Sequence, residues 1–156
     1  MYPLVLGLHS WTRWLVLIFG LIALVRAISG RSARRPWTGA DNGMGAAFIG
    51  TMHLQLLLGL ILYFGLSPWG LKTFEQMGGA AMRDSTARFF AVEHIAAMIM
   101  AVVCAQMGRS LSKRVAPLDP VLAHKRAALW FGVSLAIILL MIPWGLWNPS
   151  RPWVRF

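Results

Sequence analysis

Four histidines, His9, His53, His94 and His124, stand one in each of four apolar stretches, and one of them closes the segment Arg88-Phe89-Phe90-Ala91-Val92-Glu93-His94. An ionisable group at membrane depth costs free energy unless it faces a bundle interior and has a partner, so each is a candidate functional residue. A neutral imidazole gives one ring nitrogen to a metal. Two imidazoles at one depth on opposing helices are the donor set that holds haem iron from both faces. Arg13 follows His9 by four residues and shares its helix face. It lies too deep to reach an interface comfortably, which suits a buried pairing with Glu93 or an anion as well as it suits snorkelling to headgroups.

Positioning such residues requires helices in lipid. The chain of 156 residues is 58% hydrophobic and only 13% charged, with a mean hydropathy of +0.63. That composition excludes an ordinary soluble domain of this size. A spanning helix needs about 20 mostly apolar residues, and four stretches qualify, about 3–27, 45–67, 87–107 and 122–147. The expected fold is an all-α membrane protein, an up-and-down bundle of four transmembrane helices in one domain covering 1–156.

The net charge of +10 does not point to nucleic acid, because the basic residues flank the spans and orient them. Arg26, Arg31, Arg34 and Arg35 fall in the first loop and Arg109, Lys113, Arg114, Lys125 and Arg126 around the third. Those loops are expected to be cytoplasmic, with both termini outside. The first span has no basic residue before it and no small-residue cleavage site after it, so it reads as retained in the protein. The lone Cys104 excludes an internal disulfide, and no CxxCH motif is present, so any haem is held without a thioether link.

The two halves echo one another. Gly30-Arg31-Ser32 and Gly108-Arg109-Ser110 are expected to close spans one and three, and Pro68-Trp69-Gly70-Leu71 and Pro143-Trp144-Gly145-Leu146 spans two and four. Parallel two-helix repeats would make these the diagonal pairs of the bundle. His9 and His94 then share the outer half, His94 lying about 9 Å below Arg88. His53 and His124 fall toward the inner half, with a depth mismatch of about 6 Å. Glycine and alanine accompany the histidines, Ala46 and Gly50 on the face of His53 and Ala128, Gly132 and Ala136 on that of His124, which allows a flat group or another helix to approach. Between spans two and three, Leu71–Met77 has an apolar face that suits the membrane surface. Gly78-Gly79 ends it, and Asp84-Ser85 caps the next helix.

His9-Ser10-x-x-Arg13-Trp14, His53-x-Gln55-x-x-x-Gly59-x-x-Leu62-Tyr63-Phe64, Arg88-x-x-x-x-Glu93-His94 and His124-Lys125-Arg126 resemble the small four-span bacterial membrane proteins labelled cytochrome B. The resemblance implies haem b in a bacterial inner membrane and, by analogy with larger b-type cytochromes, electron exchange with a quinone. It makes the chain an electron-transfer protein or subunit rather than a stand-alone enzyme. The expected axial pairs are His9 with His94 and His53 with His124, giving two haems. Arg13, Arg88, Lys125 and Arg126 are suited to haem carboxylates, and Glu93 to orienting His94 or carrying a proton. The competing expectation is a haem-free accessory subunit packed against a larger membrane complex; the partners expected besides the lipid bilayer and a quinone are other membrane redox subunits or a second copy in a homodimer. A metal- or proton-linked transporter using His94, Glu93 and Arg13 ranks behind both, since four spans leave little room for alternating access.

Overall fold

The computed structural model of the protein describes residues 1–144. It is built from α1 (Tyr2–Ser32), α2 (Gly39–Leu66), a short α3 (Lys72–Met77) followed by a 3-10 turn (Gly78–Met82), α4 (Ser85–Val115) and α5 (Pro120–Met141). No strand occurs among the described residues. The four long helices are each long and apolar enough to cross a bilayer. The chain is an all-α membrane protein with a four-helix bundle as its fold.

The principal contacts run α1 to α2, α2 to α4, α4 to α5 and α5 back to α1. That ring leaves α1 opposite α4 and α2 opposite α5. The core of one half is tight. Phe48 of α2 and Phe131 of α5 meet edge to face at 5.5 Å, and Gly20 and Gly108 let those rings and Leu135 come so close that a methyl group at either glycine would lie 2.8 Å from a side-chain atom.

Several boundaries differ from the sequence expectation. Helix α2 starts at Gly39, not near 45, because Thr38 and Asp41 form a capping box: the Thr38 backbone N–H and hydroxyl donate to Asp41 Oδ2 at 2.8 and 2.7 Å. Asp41 is buried and also accepts from Arg26 Nε at 3.0 Å and from both terminal nitrogens of Arg35 at 2.7 Å. Those bonds push the Arg35 pKa further up, so two of the first loop's arginines are structural cations tying α1 to α2. Gly108-Arg109-Ser110 does not close a helix. Helix α4 runs on to Val115, with Ser112 Oγ donating to the Gly108 carbonyl at 2.6 Å. Gly30-Arg31-Ser32 does end α1, so this half of the proposed echo fails. Helix α5 ends at Met141, and Gly145-Leu146 and the tail residues lie outside the described part.

The connection between α2 and α4 follows its sequence signals. Gly78, with φ of 53°, stands at the end of α3 in a conformation that favours glycine. Asp84 Oδ1 accepts from the Ala87 N–H at 2.7 Å and caps α4.

Candidate cofactor site

Two helices change their winding at the end of the bundle where α2 and α4 meet. Helix α2 finishes in a π turn, Leu62–Leu66, and α4 carries another, Phe89–Glu93, immediately before His94. Single π turns inside α-helices recur at functional sites. Here they are joined: the Tyr63 hydroxyl donates to the carbonyl of Ala91 at 3.0 Å. Gly70 folds back over Tyr63, and any side chain at that position would run into the Tyr63 carbonyl, which already accepts from the Leu71 N–H at 3.0 Å.

Beneath this knot lies a cavity of about 170 Å³ between all four long helices. His9, Ser10 and Arg13 reach it from α1, Met52, Gln55 and Gly59 from α2, Phe90, His94 and Met98 from α4, and Ile138 from α5. The diagonal histidines His9 and His94 therefore face one space. His94 Nδ1 sits 3.0 Å from the carbonyl of Met141. A carbonyl can only accept, so Nδ1 carries the proton and Nε2 is the nitrogen left for a ligand. One edge of the His9 ring faces Gly59, where a methyl group would be 3.2 Å from it. The backbone carbonyl of His9 accepts from Gln55 Nε2 at 2.9 Å. His9 Nδ1 and Gln55 Oε1 are buried and make no hydrogen bond within the chain. Unsatisfied buried polar atoms are uncommon in folded proteins and call for a partner. Arg13 lines the same cavity, with its guanidinium 5.3 Å from the centre of the Trp14 ring.

The other candidate residues stand elsewhere. Glu93 forms an ion pair with Arg88, Nε to Oε1 at 2.6 Å, on a partly exposed surface, and Arg88 also donates to the Met82 carbonyl at 3.1 Å. The cavity lining contains neither of them, nor Arg126. His53 is exposed on the outer face of α2, beside exposed Leu54 and Leu57. His124 is completely buried at the other end of the bundle, its ring 4.9 Å from Trp37 and so close to Gly30 that a methyl group there would overlap it. The Arg35 and Pro36 carbonyls are its polar neighbours, although neither ring nitrogen makes a hydrogen bond of standard geometry.

The expected inner pair is thus not assembled. His53 lies about 18 Å along α2 from Asp41, whereas His124 packs at the level of the loop that Asp41 organises. One imidazole is exposed on the surface of the bundle and the other is buried within it.

The donor set matters for what the cavity can take. Among the described residues no three His, Cys, Asp or Glu side chains come together to hold a metal ion. A haem supplies four nitrogens of its own and takes one or two side-chain donors. The cavity's two histidines, apolar walls and guanidinium are residue types that would hold such a group, and at about 170 Å³ it is smaller than the roughly 300 Å³ of common ligand pockets, so the helices would have to part to admit one.

The sequence motif contains Gln55 and Tyr63 but gave neither a role, and nothing in it pointed to the Met141 carbonyl. Gln55 precedes Gly59 by four and shares its face, a signal that was available. Backbone carbonyls and π turns leave no comparable mark. A scan against protein-family models finds no match, and comparisons with curated proteins and with solved structures find none either.

Proposed function

We propose that the protein is a small membrane electron carrier of the b-type cytochrome kind, with one haem b held between His9 and His94. The observation that carries this reading is the convergence of two imidazoles from diagonal helices on one apolar cavity, with the proton of His94 committed to Met141. When bound, such a group supplies reversible one-electron chemistry at its iron. The chain's own part is to fix both rings, exclude water with Met52, Met98 and Ile138, and offer Arg13 to a carboxylate. A membrane quinone is the exchange partner this reading favours. The basic loops between α1 and α2 and between α4 and α5 favour a cytoplasmic position for that end of the bundle and an outer one for the cavity. His53 and His124 take no part, so the stoichiometry is one haem per chain.

Absorption spectra of the protein purified after expression with ample haem test the proposal. The expected result is a Soret band that sharpens and shifts on reduction, with iron and haem at one per polypeptide. Colourless protein under those conditions overturns it.

A second reading concerns assembly and is favoured by the outer face of α2. Gly39, Gly43, Ala46, Gly50, His53 and Leu57 are all exposed and follow one another at intervals of four and three. Small residues at such spacing let helices pack closely in lipid, and a histidine among them needs a hydrogen-bonding partner there. A second copy of the chain, or a redox subunit of a larger complex, fits that face.

A further inference from the structure

We propose that Arg88, Glu93 and Tyr63 are positioning residues for His94: they hold an extra residue of helical winding upstream of it, and so keep its ring turned to the cavity. Arg88 and Glu93 belong to the segment that closes on His94, yet neither lines the cavity. They are five residues apart. In a regular α-helix such residues stand about 140° apart round the axis, and side-chain neighbours are three or four apart. The pair nevertheless closes at 2.6 Å, because the segment between its members is a π turn. There the His94 backbone N–H bonds to the Phe89 carbonyl, five residues back instead of four.

Helix α4 is anchored on both sides of that turn. Upstream, Asp84 caps the helix, Arg88 donates to the Met82 carbonyl at 3.1 Å, and the Tyr63 hydroxyl donates to the Ala91 carbonyl at 3.0 Å. Downstream, Ser134 Oγ of α5 donates to the Ala101 carbonyl at 2.8 Å, and Phe131 packs on Gly108. Between the two anchors lies one residue more than α-helical winding uses. Where that residue is taken up decides where His94 points. With the turn ending at Glu93, His94 is the first residue of the downstream winding; it faces the cavity, and its Nδ1 reaches the Met141 carbonyl at 3.0 Å. Were the turn to move one helical turn onward, His94 would join the upstream winding, about 100° away round the axis. The ion pair spans the turn and Tyr63 grips its middle, so both oppose that shift. The value of the aim rests on the reading of His94 as a haem ligand.

Nitrogen NMR of the whole protein in detergent, labelled with 15N at histidine and prepared without added haem, tests this. The His94 resonances are those lost in His94→Ala. In the parent they are expected to show the proton on Nδ1, as its bond to Met141 requires. An exposed ion pair is weak by itself, so Glu93→Ala is combined with Tyr63→Phe; the proton is then expected to move to Nε2, with the helix content seen by circular dichroism unchanged. Arg88→Glu with Glu93→Arg re-forms the pair with its charges exchanged and is expected to keep the parental resonances. Glu93→Ala alone alters only a partly exposed pair and decides the matter where the combined variant does not fold: a mixture of the two protonated forms supports the proposal, and parental resonances count against it. Parental His94 resonances in the combined variant, or a charge-exchanged protein that behaves like Glu93→Ala, overturn it. The measurement involves no haem, so a parent that stays colourless when haem is supplied removes the haem reading and leaves this result standing.

Discussion

At the scale of single residues, what separates the four histidines is their surroundings. His94 has its proton fixed by a carbonyl and His9 has a ring edge against glycine, and both look into one cavity. His9→Ala and His94→Ala are each expected to reduce bound haem to below a tenth of the parent, whereas His53→Ala retains it, as measured by haem per polypeptide. Loss of haem from His53→Ala to the same degree would sink the single-site reading. His124 answers to a different test. A methyl group at Gly30 must displace its ring, and such overpacking costs about 1–3 kcal/mol. Gly30→Ala is expected to lower the thermal unfolding midpoint in detergent without removing haem. His9 and His94 line one cavity, and their similar depth was readable from the sequence because distance from a helix end is countable at 1.5 Å per residue. The sequence could not tell that His53 faces outward, since glycine and alanine beside a residue suit a cofactor, a neighbouring helix or nothing at all.

At the scale of elements, the four spans were legible and their ends less so. Thr38 and, three residues on, Asp41 were present in the chain as a capping pair, yet the apolar count that defines a span begins only near residue 45. The short-range bonds of the capping box decide otherwise. Asp41→Asn removes the charge that two partly exposed arginines share, and roughly 2 kcal/mol of stability is expected to go with it; chemical unfolding followed by circular dichroism measures this. Gly108-Arg109-Ser110 looked like a stop because glycine and charge commonly end helices. Instead Gly108 admits Phe131 and the helix continues. The paired π turns were out of reach of any periodicity argument, since each spans one turn. Tyr63→Phe deletes the bond that joins them, with an expected cost of about 1 kcal/mol and no change in helix content. A variant as stable as the parent would show that the turns hold without it.

At the scale of the whole molecule, the exposed seam on α2 sets an expectation for the protein in a membrane or a mild detergent. Sedimentation equilibrium is expected to give a dimer that Gly50→Ile separates; a parent protein that runs as a monomer with no copurifying subunit rules out that face as an interface. The bundle is also lopsided along its length. One half holds the cavity, and the other is filled by Phe48, Phe131 and their flanking glycines, with His94 about 28 Å of helix away from Lys113. A single redox group seated in the open half would serve the water layer and lipid leaflet nearest to it and have no second stepping stone toward the far one. With one such group the chain would work as a terminal on one side of the membrane, and a circuit from side to side would have to be completed by another protein.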